Sequence, residues 1–228
     1  MKMFLVKRKI LTAAVCLLLA AGMFYVVNHP AIVGAAAAAR QLPIYCVQRD
    51  QKVLSISFDA AWGNEDTQML IDILGKYKIK ATFFVVGEWV DKYPESVKAL
   101  HDAGHEVMNH SNTHAHMSQL SKDEIIADVE ACNDKIEAVT GVRPTLIRPP
   151  YGEYDDNVIT AIRSIGMEPI QWDVDVSQTA SSASAAIESG ADIQHDLMED
   201  NIQVIFTFHL IQGKNQSIIA LRFLLESL

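Results

Sequence analysis

The chain has 228 residues, of which 50% are hydrophobic, so it can bury one core of ordinary domain size. Its formal net charge is −9, and this acidic surplus argues against a surface that follows the phosphates of a nucleic acid. The composition therefore predicts one folded domain whose partner is not a nucleic acid.

The first 27 residues are predicted to be a membrane anchor or a signal segment. Basic residues between positions 2 and 9 precede the uncharged stretch 10–27, which as a helix would rise roughly 27 Å and nearly match the hydrocarbon thickness of a bilayer. This length favours an uncleaved anchor, whereas the alanine run at 35–39 keeps cleavage and secretion open. Because basic residues tend to stay in the cytoplasm, the rest of the chain is expected on the extracytoplasmic face in both cases.

Residues 28–50 are predicted to be a linker, and residues 51–228 are predicted to be the folded domain. From position 53 onward, short apolar runs alternate with amphipathic segments. The predicted strands read VLSISF, ATFFVVG, EVMNH, TLIRPPYG, MEPIQWDVD and IQVIFTFH. Strands that alternate with helices predict an α/β fold with a parallel sheet, which is either open and doubly wound or closed as a barrel.

Capping signals place several helices between these strands. Asn64 is predicted to cap the first helix, and Ser121 with Glu124 three residues later forms a capping box for another. The other predicted helices span 94–104, 158–165, 183–198 and 217–228. Cys132 falls on the buried face of the capping-box helix, so it and Cys46 are predicted to be unpaired thiols.

Ionisable residues interrupt the pattern at the carboxyl ends of the predicted strands. They are Asp59, His110, Arg148, Asp173, Asp175 and His209. The carboxyl ends of parallel strands meet on one face, where substrate sites are built. The topology therefore predicts a functional site on this face.

His110 and His114 are the candidate metal ligands. A His-x-x-x-His pair places both imidazoles on one side of a helical turn, within reach of one zinc-class ion, although both can also be ordinary polar loop residues. A carboxylate beside a metal-bound water suits hydrolysis, because the ion lowers the pKa of the water and the carboxylate accepts its proton. Asp59 is the candidate base, Arg148 can hold it by an ion pair, and His209 is either structural or a general acid.

Five ordered motifs carry a resemblance to a known family: FDAAWG, HSNTH, RPPYGEY, WDVD and FTFH. They resemble the polysaccharide deacetylases of carbohydrate esterase family 4, also called NodB homology domains, which include chitin and peptidoglycan N-acetylglucosamine deacetylases. The surrounding sequence is most similar to the membrane-anchored deacetylases of sporulating bacteria. The resemblance implies a distorted, incomplete (β/α) barrel of about six to seven strand–helix units, after an N-terminal hydrophobic helix.

The resemblance also implies roles for the candidate site residues in removing an N-acetyl group. Asp59 matches the catalytic base, and Arg148 matches the residue that orients this base. His110 and His114 match the ligands of a divalent metal, which is zinc, or else cobalt or nickel. Tyr151 matches the backbone N–H donor to the oxyanion, and His209 matches the acid that protonates the leaving amine.

A departure from the family pattern affects the metal. Ala60 stands where the family has the aspartate that serves as third ligand, and a methyl group cannot bind a cation. Asp59, Glu65, Asp66 or water could complete the shell instead. Otherwise the ion binds weakly or the site is empty.

The fifth-strand region and the carboxyl terminus depart as well. Gln178 and Thr179 replace an Asp-Trp pair, and the last strand of the family is not found after His209, so the barrel is open or the sequence is truncated. The leading hypothesis is a metal-dependent hydrolase that removes N-acetyl groups from peptidoglycan or a chitin-like glycan. The alternative is a catalytically impaired relative that binds cell-wall glycan without cleaving it.

Overall fold

The computed structural model describes residues 14–25, 40–48, 54–175 and 202–210. The chain divides into two compact units, Met1–Arg40 and Gln41–Leu228. Helix α1 (14–25) belongs to the first unit and exposes large apolar side chains such as Leu18 and Phe24. Within the described residues, no helix has both the length and the apolar character that crossing a bilayer requires. The membrane anchor stays a prediction.

Within the described residues, the second unit contains one eight-stranded sheet. Its strands are β1 (Cys46–Gln48), β2 (Leu54–Ala60), β3 (Thr82–Val85), β4 (Glu106–Asn109), β5 (Leu146–Ile147), β6 (Glu168–Pro169), β7 (Val174–Asp175) and β8 (Ile202–Leu210). They pair in the order β1-β8-β2-β3-β4-β5-β6, with β7 also on β8, and only the β1–β8 pairing is antiparallel. The predicted α/β fold is confirmed, and the predicted fifth strand divides into β6 and β7.

Helices connect the parallel strands, as the alternating pattern predicts. They are α2 (Thr67–Lys76), α3 (Gly87–Lys92), α4 (Pro94–Asp102), α5 (Lys122–Thr140) and α6 (Asp156–Ser164). Helix α5 begins with the predicted capping box, because the Ser121 hydroxyl accepts from the Glu124 N–H and the Glu124 carboxylate accepts from the Ser121 N–H. The helices predicted at 183–198 and 217–228 lie outside the described residues.

The predicted cap of α2 is wrong. The helix begins after Asp66, and the Asn64 side-chain amide instead donates to the Ser96 hydroxyl at 3.0 Å. A partner in a neighbouring helix thus replaces the local partner that the sequence favours, and this contact ties the loop after β2 to α4.

The sheet closes on itself through the segment that precedes and includes β1. The Ile44 N–H donates to the Pro169 carbonyl at 2.9 Å, and the Ile44 carbonyl accepts from the Gln171 N–H at 2.8 Å. Two residues later, β1 pairs with β8 from Cys46 onward. Residues 44–48 therefore join the β6 edge to the β8 edge, although they lie inside the stretch predicted as a linker. This closure gives the predicted distorted barrel and not the open one that the missing last strand suggested.

Side-chain alternation along β2 separates the core from the site. Ile56, Phe58 and Ala60 pack in the main hydrophobic cluster against the helices. Ser57 and Asp59 lie on the opposite face, where both contact a buried arginine. The same strand therefore stabilises the fold with one face and builds the site with the other.

The cysteines are unpaired, as predicted. Cys132 is buried on α5, and its thiol donates to the Val85 carbonyl at 3.5 Å. Burial raises the pKa of this thiol to about 12, so it stays protonated at neutral pH. Cys132 therefore acts as a small core residue.

Candidate functional site

Arg148 is the fully buried centre of the site. Its Nη1 atom donates to Asp59 Oδ1 at 2.6 Å and to the Thr207 hydroxyl at 2.8 Å, and Nη2 donates to the Ser57 hydroxyl at 2.9 Å. The partners come from β2 and β8, whereas Arg148 directly follows β5. The guanidinium thus holds the Asp59 carboxylate in one orientation, with hydroxyl groups satisfying further donors.

Two aromatic rings complete the surroundings of this guanidinium. The Arg148 Cζ atom lies 4.2 Å from the ring centroid of Phe84 and 5.5 Å from that of Trp172. Sequence reasoning missed both aromatic residues, as well as Ser57 and Thr207. The one available signal was Ser57, a polar residue two positions before Asp59 on the same face of a predicted strand.

His110 is oriented by the backbone of Arg148. The His110 Nδ1 atom lies 2.7 Å from the Arg148 carbonyl oxygen, and since a carbonyl only accepts, Nδ1 carries the hydrogen. In the neutral ring the lone pair is therefore on Nε2, which lies 4.0 Å from Asp59 Oδ2. This distance is too long for a direct hydrogen bond. The buried imidazole and carboxylate nevertheless share one small region.

His114 reaches His110 through a loop and not through the predicted helical turn. Their ring centroids are 5.0 Å apart. The segment from His110 to His116 is non-helical, with left-handed backbone at Ser111 (φ 69°) and His114 (φ 54°). Non-glycine residues rarely adopt this conformation, so surrounding contacts must hold it.

Buried hydrogen bonds supply those contacts. The Ser111 hydroxyl accepts from the His114 N–H, and the Asn109 side-chain oxygen accepts from the Ser111 N–H, both at 2.7 Å. The Asn109 amide in turn donates to the Val129 carbonyl and the Asn133 side chain of α5. The histidine loop is therefore fixed to the core of the domain.

His114 is neutral at ordinary pH. Burial, followed by the nearby His110, lowers the pKa of His114 to about 4. Its Nδ1 atom is buried and makes no hydrogen bond within the described residues. A neutral imidazole offers a lone pair, so His114 supplies nitrogen of the kind that divalent metals bind.

The described residues nevertheless do not complete the predicted metal site. No three His, Cys, Asp or Glu side chains among them lie close enough to hold an ion. The Ala60 methyl is 1% exposed and packs in the core, and Asp59 is bound to Arg148. Glu65 and Asp66 do not join the histidines either. Two imidazoles without a third protein ligand fall short of the usual catalytic zinc site.

The remaining candidates lie on the same face or outside the described residues. Tyr151, in the 3₁₀ turn Pro150–Gly152, has left-handed backbone (φ 60°), and its ring centroid is 4.6 Å from that of His114. The backbone of His209 on β8 pairs in register with that of Asp59. Gln178 and Thr179 lie outside the described residues.

Comparison with known proteins gives one family over most of the barrel. The sequence model described as polysaccharide deacetylase matches residues 47–170. The chain is 40% identical over 129 residues to the peptidoglycan-N-acetylmuramic acid deacetylase PdaC of Bacillus subtilis. This matched region is 57% of this chain and 27% of PdaC. It is 33% identical over 147 residues to the uncharacterized B. subtilis protein YlxY, and this region is 64% of this chain and 46% of YlxY. The chain thus spans less than half the length of either relative.

Solved structures give the same fold. Wild-type BA3943 of Bacillus anthracis, described as a CE4 family pseudoenzyme, has a TM-score of 0.68 at 29% identity, covering 82% of this chain and 64% of that chain. A BA3943 mutant described as having restored enzymatic activity has the same TM-score at 30% identity, covering 82% and 66%.

We expect Arg148→Met to lower the free energy of unfolding by about 3–5 kcal/mol, because it removes the cation from the buried Asp59 carboxylate. Arg143→Met is the matched control. Arg143 also pairs with carboxylates, but it is exposed, and exposed pairs contribute at most about 1 kcal/mol. Urea unfolding of both variants measures the difference. Similar losses in the two variants would show that Arg148 is not the structural centre of the site.

We expect acid to destabilise the metal-free protein partly through His114. Its pKa is about 4 in the folded protein and near 6.5 when unfolded, so the unfolded chain takes up the proton first as the pH falls. The stability that depends on the neutral ring is complete above about pH 6.5 and is lost towards pH 4. His114→Asn, which tolerates left-handed backbone, should lose less stability over this range. Urea unfolding between about pH 7 and pH 4.5 tests this, and equal pH dependence of both proteins would contradict it.

Proposed function

This chain belongs to the polysaccharide deacetylase family, and we propose that its domain hydrolyses N-acetyl groups on a glycan with Asp59 as the base. The buried ion pair between Asp59 and Arg148 supports this activity most directly, together with the His110 imidazole 4.0 Å from the second carboxylate oxygen. A carboxylate held in one orientation can accept a proton without first reorganising.

In the proposed reaction, Asp59 accepts a proton from water while the water oxygen bonds to the carbonyl carbon of the acetyl group. The C–N bond then breaks, acetate leaves with the water oxygen, and the amine of the sugar takes up a proton. The backbone N–H of Tyr151 is the proposed donor to the oxygen on which negative charge develops. His209, whose backbone pairs with that of Asp59, is the proposed acid for the amine.

We propose a cell-wall glycan, peptidoglycan or chitin-like, as the substrate. PdaC is named as a peptidoglycan deacetylase, and it shares 40% identity with the matched region. We also propose that the protein is anchored at the extracytoplasmic face of a membrane. The exposed apolar side chains of α1 and the basic residues before it support this location. A divalent metal at His110 and His114 stays a prediction.

A second function, glycan binding without hydrolysis, is favoured by one observation. Ala60 stands where the family resemblance implies the third metal ligand, and the described residues provide no replacement. BA3943, which shares this fold, is described as a pseudoenzyme, and a mutant of it is described as having restored activity. Loss of hydrolysis with retention of the fold is therefore compatible with a chain of this kind.

Acetate release separates the two functions. We expect wild-type protein to release acetate from N-acetylglucosamine oligomers or peptidoglycan, and Asp59→Asn to lose about a hundredfold or more of that rate, because the base is removed. Asp123→Asn on the exposed first turn of α5 is the matched control and should retain the rate. Assays run with chelator and with added zinc or cobalt. A wild-type rate no higher than that of Asp59→Asn under every condition would exclude hydrolysis.

The metal prediction is tested by restoring a carboxylate. We expect Ala60→Asp to lower the stability of the chelator-treated protein, because the carboxylate replaces a buried methyl, and to gain stability with zinc or cobalt. A metal concentration of about a hundred times the dissociation constant would raise the free energy of unfolding by about 2.7 kcal/mol. Ala61→Asp, at the adjacent half-buried position, is the control. Equal metal-induced shifts in melting temperature for both variants would show that position 60 is not a ligand position.

A further inference from the structure

Trp62 is an exposed aromatic residue at the edge of the site. It follows β2 by two residues and exposes 58% of its surface, whereas Trp89 is buried and Trp172 is half-buried. We propose that the Trp62 indole stacks against the apolar face of an N-acetylhexosamine ring of the glycan. This stacking site deepens the proposed function and rests on it.

Trp62 lies beside the histidines of the candidate site. Its ring centroid lies 5.0 Å from that of His114, which itself lies 5.0 Å from that of His110. The segments that follow β2 and β4 thus place an exposed indole beside the half-buried His114, which contacts the buried His110. A sugar ring on Trp62 would have its substituents next to the group of residues that includes Asp59.

The loop that carries Trp62 is held in place. The indole N–H of buried Trp89 donates to the carbonyl of Gly63 at 2.5 Å, and Gly63 has the left-handed backbone (φ 71°) that glycine tolerates. Single exposed apolar residues are common on protein surfaces. Trp62 differs from them because its ring contacts a histidine of the site and the next residue is held by a hydrogen bond, which lowers the entropy that the loop loses on binding.

A polar pair lies near Tyr151, whose ring also contacts His114, and this pair has the character that a sugar needs. The Tyr151 ring stacks on His116 with centroids 4.1 Å apart, and His116 Nδ1 lies 2.8 Å from a Glu153 carboxylate oxygen. Both members of this pair are partly exposed. A purely apolar ligand would remove water from the pair without offering hydrogen bonds. A sugar offers an apolar C–H face to Trp62 and hydroxyl groups to His116 and Glu153.

Tryptophan fluorescence and calorimetry test this site with the N-acetylglucosamine tetramer as the probe. In the wild-type protein, saturable binding should shift the emission to shorter wavelength, because Trp62 is the exposed one of three tryptophans. Trp62→Phe should bind within about threefold of wild type but lose the fluorescence response. Trp62→Ala should weaken binding about tenfold. Val142→Ala, at a similarly exposed apolar residue, is the matched control and should bind like wild type.

Each outcome separates the stacking site from the catalytic proposal. Binding that depends on Trp62 without acetate release would support the stacking site and exclude hydrolysis. Acetate release in which Trp62→Ala leaves KM unchanged would keep hydrolysis and exclude the stacking site. Absence of saturable binding by wild type, or a fluorescence response that persists in Trp62→Phe, would also overturn the stacking site. Unchanged melting temperatures would show that the variants are folded.

Discussion

The ion pair between Asp59 and Arg148 is the constraint on which the rest of this barrel depends. Both groups are almost completely buried, and a buried charge is tolerated only when it is paired and hydrogen-bonded. The hydroxyls of Ser57 and Thr207 supply further bonds, so strands β2 and β8 must be in register before the pair is satisfied. Pairing of β2 with β8 and assembly of the site are therefore coupled.

Much of the fold can be predicted from local sequence patterns, whereas the arrangement of the site can be predicted only in part. Alternating apolar segments indicate the parallel sheet, and Ser121 with Glu124 fixes the start of α5. The proximity of His110 and His114 is also predicted, from their four-residue spacing on a presumed helical turn. Its cause is not, because two left-handed residues and the buried Asn109 produce it through contacts between distant segments. Short strands such as β1 escape pattern analysis because their pairing partners, not their composition, define them.

The requirements of folding and of the proposed hydrolysis differ between position 59 and position 60. The Asp59–Arg148 pair supports folding as well as the proposed proton transfer, so a chain that had lost hydrolysis would still keep this pair. A carboxylate at position 60, which the family resemblance implies as the third metal ligand, would have no such structural duty, since the methyl of Ala60 packs in the core. An intact ion pair is therefore weaker support for catalysis than an intact ligand set would be. This asymmetry is why acetate release, and not the site geometry, decides between the two functions.

The bridge from Ile44 to the end of β6, followed by the pairing of β1 with β8, affects how the molecule is made. Residues near the beginning of the chain find their neighbours only among residues that the ribosome adds far later. Contacts between such distant positions form slowly, because a large loop must close first. The segment around β1 therefore has no pairing partner during most of synthesis, and the barrel can be completed only after β8 has been translated.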